Sequence, residues 1–184
     1  MPLMAHFHPP LSERRSWEGF QYLWAGAIVE YLNDGIFADE IEVQILSTSA
    51  GLTLVAAIEL LSPANNDRPQ SRKAFVAKCV SYLSQGIGVV IADIVTNRRA
   101  NLHNELVTYL GQPTRFLMPA DVHTYAVAYR PSRRPDGDRI EVWPVSLGIG
   151  STLPTLDLAL RNAETVPLDL EATYLEACRH SRLI

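Results

Sequence analysis

The sequence has little cysteine and no excess of basic charge. Cys79 and Cys178 are the only two thiols in 184 residues. Two are too few for a disulfide framework, and Cys79 falls within an apolar helical pattern, so both are expected to be free. Sixteen Lys and Arg stand against twenty Asp and Glu, a net charge of −4. That excludes a protein that grips nucleic acid through its overall charge, although a local basic face stays open. No apolar run approaches the ~20 residues a membrane span needs; the longest, about Gly86 to Ala92, has the length of a strand. The opening MPLMAHFHPPLSERR lacks the apolar core of a signal peptide. Together these absences predict a soluble, cytoplasmic chain with no membrane partner. What is present is 47% hydrophobic residues, enough for a real core, in a chain of single-domain length.

The first 15 residues are Pro-rich and read as an extended arm. In it, His6 and His8 could share a metal only with a third ligand, and none stands nearby. A packed or solvated tail is the simpler reading. Ser16 to about Asn33 reads as a helix. Ser16 suits the N-cap, and Trp17, Phe20, Trp24, Ala27, Ile28, Tyr31 and Leu32 recur at helical steps, a face suited to packing on a sheet. Glu40 to Leu46 alternates as a strand with Ile41, Val43 and Ile45 on its covered face. After a turn, Leu52 to Leu61 is apolar except for Glu59, as in a strand buried on both sides. Ser62 to Gln70 reads as a loop and Ser71 to about Gln85 as a helix with Phe75, Val76, Cys79, Tyr82 and Leu83 inward. Ile87 to Val95 is again doubly covered. Strand, helix and apolar strand make a βαβ unit with a right-handed crossover. Further on, Asn97 to Leu110 and Leu170 to about His180 suit helices. Thr124 to Tyr129, Arg139 to Trp143 and Leu156 to Leu160 suit strands.

Glu59 is the informative residue. A carboxylate in an apolar strand is costly to bury unless it is paired, hydrogen-bonded or metal-bound. A hairpin centred on Ser49 and Ala50 sets Glu40 opposite Glu59, with Glu42 two residues on along the same face. Carboxylates so grouped repel one another unless a cation neutralises them, and Mg²⁺ or Mn²⁺ is the usual solution. Lys78, three residues from Phe75 and four from Tyr82, turns toward the same sheet. There it could orient an attacking hydroxide or stabilise phosphorane charge.

These residues carry a resemblance. AIELLSPAN followed by Lys78, Tyr82, Gly86 and Asp93 resembles the PD-(D/E)XK superfamily, in the restriction-endonuclease-like branch whose active-site lysine sits on the helix after the strand. More closely, HFHPPLSERRSWEGF, ELLSPANNDRP, AFVAKCVSYL, VTNRRANLHNEL, VWPVSLG and VPLDLEATY, in that order, resemble the bacterial domain-of-unknown-function family four-zero-five-eight over nearly the whole chain. The resemblance implies an α/β nuclease-like core of helix, hairpin, crossover helix and parallel strand over residues 16–95, with a β-rich extension over 96–184, in one domain. It also implies an extra strand between the first helix and the hairpin, bearing an acidic residue. Here Phe37-Ala38-Asp39 runs straight into Glu40 with no Pro-Asp dipeptide, so the extra strand and its metal-binding aspartate are expected to be missing, or Asp39, Glu40 or Glu42 substitutes for that aspartate.

Plainer readings stand beside these. Glu59 could close an ion pair with an arginine such as Arg72. Lys78 could be a surface lysine with a buried stem. Arg98, Arg99, His103 and Glu105 could contact phosphate or simply cap a helix, and Arg130, Arg133 and Arg134 fit a flexible basic loop. Gly148 and Gly150 make no dinucleotide fingerprint, and Ser62 has no nucleophile elbow. Two functions follow. One is a Mg²⁺- or Mn²⁺-dependent phosphodiesterase or nuclease, with Glu59 and Lys78 catalytic and Glu59, Glu40 and Glu42 as metal ligands. The other is a degenerate, non-catalytic member acting as a binding or assembly module. Nucleic acid and a second copy of the chain remain open as partners.

Overall fold

The structure is a computed structural model that describes residues 3–14, 16–32, 36–39, 42–47 and 52–184, with the backbone alone at Arg14 and over 36–39. A single turn of helix α1 (Leu11–Arg14) leads to α2 (Trp17–Leu32). Strands β1 (Ile36–Asp39), β2 (Glu42–Ser47) and β3 (Thr53–Leu60) follow, then helices α3 (Pro63–Asp67) and α4 (Pro69–Ser84), and strand β4 (Gly88–Asp93). Helix α5 (Leu102–Tyr109) precedes the hairpin β5 (Tyr125–Ser132) and β6 (Arg139–Ser146). A second hairpin, β7 (Thr155–Ala159) and β8 (Thr165–Asp169), runs into the last helix, α6 (Leu170–His180).

The fold is mixed α/β. Six strands form one sheet in the order β1 to β6, and β7 pairs with β8 apart from it. Within the large sheet only β3 and β4 are parallel. Adjacent antiparallel strands need only a short link, whereas a parallel pair needs a crossover, which α4 supplies. Alternation along the strands then divides the core. Val43, Ala56, Ile58, Leu60, Val90 and Ala92 pack with α2, α6 and the second hairpin. Val89, Ile91, Val127 and Tyr129 pack with Phe75, Val76, Cys79 and Leu83 of α4 and with Leu102 and Leu106 of α5. This double covering is why β3 and β4 read as unbroken apolar runs. The second hairpin lies so close to the start of β4 that a Cβ on Gly88 would run into the backbone of Ala159.

Several expectations need correction. The N-terminal segment is not an extended arm over its described residues. Leu3 exchanges backbone hydrogen bonds with Gly150 and Ser151, and His6 is buried against Trp17, Phe20 and Tyr174. The expected loop over 62–70 contains α3, begun by a capping box between Ser62 and Asn65. A strand, β1, precedes the hairpin, and β8 was not anticipated. Rather than packing on a finished core, residues 125–146 extend the same sheet. Ser16 does cap α2, accepting from Gly19 N at 3.2 Å, but Tyr31 on its expected inner face is 44% exposed. Ile41, expected on the covered face of the hairpin, lies outside the described residues. Cys79 and Cys178 are buried and free, on opposite sides of the sheet. Among the described residues no helix is long and apolar enough to cross a membrane.

Candidate functional site

Glu59 stands one residue before the end of β3 and is only 4% exposed. Alternation turns it, with Leu61, toward the layer formed by α4, and its cross-strand partner on β2 is Glu42. Antiparallel partners share a face, so the sheet alone brings two carboxylates together. From α4, Lys78 reaches into the gap on the same helical row as Phe75 and Tyr82. Its Nζ lies 2.7 Å from Glu59 Oε1 and 2.9 Å from Glu42 Oε2. The contact with Glu42 is a hydrogen bond. The contact with Glu59 is an ion pair off the hydrogen-bond line, so the buried Glu59 Oε1 receives no aligned donor. Tyr82 donates its hydroxyl to Glu42 Oε1 at 2.6 Å, and Gln44 Nε2 donates to the same oxygen at 3.3 Å.

Burial governs the electrostatics. It disfavours the Glu59 carboxylate; Lys78 pulls the other way, Glu42 adds repulsion, and the pKa is pushed up from 4.5 to about 7. Burial also works against the Lys78 ammonium, but the two carboxylates outweigh it and its pKa rises. Tyr82 is held protonated well above its usual range, by burial and by its bond to Glu42. Near neutral pH the cluster therefore holds a fixed ammonium beside a carboxyl group poised to gain or lose a proton.

The expected pairing of Glu40 with Glu59 is corrected to Glu42 with Glu59. Near the turn the partners are Leu46 with Leu54, but past Ile45 the register moves by one, because β3 carries Val55 as an extra residue. Arg161 N donates to the carbonyl of that bulged residue at 2.9 Å. The pairs Leu46–Leu54 and Ser47–Thr53 are themselves centred half a residue later than a centre at Ser49 and Ala50 requires. Glu40 itself, a predicted metal ligand, lies outside the described residues. The backbone of β1 sets Asp39 as the partner of Glu42. Asp39, Glu42 and Glu59 thus occupy one register row across three strands.

Other predicted residues have other partners. Arg72 does not reach Glu59; its Nε pairs with Glu105 at 2.6 Å. Arg98 pairs with Asp67. His103 is buried: its Nε2 lies 3.0 Å from the Phe116 carbonyl, which only accepts, so Nε2 carries the proton and Nδ1 accepts from Tyr129 OH at 2.7 Å. His6 makes a 2.6 Å bond to Tyr174 OH, while His8 is exposed, so the two do not converge on a metal. Arg130 belongs to β5 rather than to a loop, and both it and Arg134 bind Glu141. One polar residue of the site, Gln44, escaped the sequence reading. It looked like an ordinary outward strand residue. Asp93 entered only through the family resemblance, yet it is wholly buried at the end of β4, accepting from Val95 N at 3.0 Å and Asn66 Nδ2 at 3.4 Å. Burial raises its pKa to about 7.

Among the described residues no three His, Cys, Asp or Glu side chains are grouped closely enough to hold a metal. Glu42 and Glu59 by themselves offer only oxygen donors, which suit a hard divalent cation that keeps much of its water shell. In comparison with known proteins, no family model, no curated protein and no solved structure matches the chain.

Proposed function

We propose that the protein is a Mg²⁺- or Mn²⁺-dependent phosphodiester hydrolase built on a restriction-endonuclease-like PD-(D/E)XK core and related to the bacterial domain-of-unknown-function family four-zero-five-eight. The observation that carries this reading is the reach of Lys78 from α4 to both Glu59 and Glu42, at 2.7 and 2.9 Å. The order of elements supports it as well: helix, three-strand meander, crossover helix, parallel strand. So does β1, which lies where the resemblance implies an extra strand and ends on Asp39.

Glu59 and Glu42 are the residues that would hold the ion. A bound divalent ion supplies Lewis acidity and a lowered pKa for its water. Lys78 is a fixed positive donor beside that position, suited to charge developing on a phosphoryl oxygen. Tyr82 and Gln44 hold the Glu42 carboxylate in one orientation.

A second reading, a non-catalytic binding or assembly module, is favoured by one feature. Lys78 already pairs with both carboxylates, as a lysine standing in place of a lost ion would. Titration calorimetry with Mn²⁺ separates the two. Hydrolysis requires saturable Mn²⁺ binding by the wild type that disappears in Glu59→Ala; no binding by the wild type supports the module.

A further inference from the structure

The carboxylate cluster lies at the end of the sheet where β3 and β4 finish. At the opposite end, where α4 stops at Gly86 and β4 begins, there is a groove of about 540 Å³. Its apolar wall includes Val80 and Leu83 of α4, Ile140 of β6 and Leu160 after β7. Arg130, Arg133, Arg139 and Arg161 also line it, against a single carboxylate, Asp138. Four of the sixteen basic residues of a net-acidic chain thus line one cleft.

Not all of that charge is available. Arg130 is bonded to Glu141, and Arg139 to Asp136. Arg133 and Arg161 have no ion-pair partner among the described residues, whereas Asp138 is exposed to water at the rim. The stem of Arg161 crosses the end of α4, its Cγ 3.9 Å from where a Cβ on Gly86 would lie. The carbonyl end of a helix carries at most about half a negative charge, enough to hold an arginine there without cancelling it. The groove therefore presents forked donors and uncancelled positive charge beside an apolar wall, at a volume typical of small-ligand clefts.

We infer that this groove binds a small phosphate ester with an apolar organic part, the phosphate among the arginines and the body against the Leu83–Ile140 wall. Guanidinium forks match phosphate oxygens in pairs, which favours a phosphate over an ion of one point charge. The volume favours a molecule of nucleotide size over a polymer. The site stands apart from Glu59 and needs no metal, so it does not depend on the hydrolase reading.

The test uses the full chain in EDTA at fixed ionic strength, titrated with 1-naphthyl phosphate, 1-naphthol and inorganic phosphate. Naphthyl phosphate should bind about tenfold or more tightly than either fragment. Arg133→Ala combined with Arg161→Ala should weaken it by about tenfold or more, with an unchanged circular dichroism melt. Glu59→Ala should leave the affinity as it was. Equal binding of naphthol, an unaffected double variant, or loss of binding in Glu59→Ala would each overturn the proposal. A short oligonucleotide binding more tightly than naphthyl phosphate would overturn the choice of a small ester. Should the double variant unfold, Arg133→Gln alone, at an exposed position, must still weaken binding by several-fold.

Discussion

Replacing Glu59 by Gln tests whether burial or pairing dominates the carboxylate cluster. The carboxyl group has a pKa near 4.5 when exposed and about 7 in the fold. The folded state therefore holds the proton more tightly. Below pH 4.5 both states are protonated and the group has no effect. Between 4.5 and 7 the unfolded chain releases its proton first, so stability falls as pH rises, and above 7 the loss is complete. At ~1.4 kcal/mol for each pH unit of difference, the loss reaches about 3 kcal/mol. The Lys78 side chain is 37% exposed, so water screens its attraction and the pair does not repay the burial. An amide of the same shape does not titrate. Glu59→Gln should match the wild type within about 1 kcal/mol at pH 5 and exceed it by about 2–3 kcal/mol at pH 8. Asp93 titrates in the same window, but it does so in both proteins and cancels in the difference. Urea denaturation in EDTA, followed by the fluorescence of the buried Trp17 and Trp24, measures this directly. A variant less stable than wild type at pH 8 would refute the reasoning, because the ion pair would then outweigh the desolvation.

Three further outcomes follow from the packing. Ile91→Ala opens a cavity between β4 and α4 and should cost on the order of 2–5 kcal/mol, seen as a lower denaturation midpoint; an unchanged midpoint would contradict the central position of β4. Gly88→Ala drives a methyl group into the Ala159 carbonyl and should lower stability by about 1–3 kcal/mol, read from the thermal melt; a neutral effect would show that the second hairpin is not seated there. Cys79 and Cys178 are buried free thiols whose pKa values burial raises, the latter to about 11. Ellman's reagent should find no reactive thiol in the native protein and two after unfolding, and a native mass lower by two protons would instead show a disulfide.

The pairing of Glu59 with Lys78 was legible because both signals are local. Glu59 interrupts an apolar strand, and Lys78 shares a helical row with two rings that must face the sheet. Helices α2, α4 and α6 were legible for the same reason, since a periodic apolar face is written within a single segment. The short α3 was harder, because two prolines in a polar stretch suit a loop as well as a helix start. The β-strand at 165–169 is only five residues long and carries Pro167, which suits a loop as well, and pairing with β7 makes it a strand. Arg130 and Arg134 looked like a free basic loop because their partner, Glu141, belongs to the facing strand.

By itself, the sequence determined that the chain has an apolar core, two doubly covered strands joined by a crossover helix, and a carboxylate whose burial demands a partner. Composition, alternation and helical spacing act over a few residues and need no knowledge of the rest. Only the tertiary structure decided which acid faces Glu59. That depended on one bulged residue, Val55, and a side-chain period of two means that each residue of slip exchanges the faces of a strand. It also decided that β5 and β6 extend the same sheet, and that arginines from two separate hairpins line one groove at the end of α4. These are meetings of segments far apart in the chain, set by how the layers pack and written in no single stretch of it.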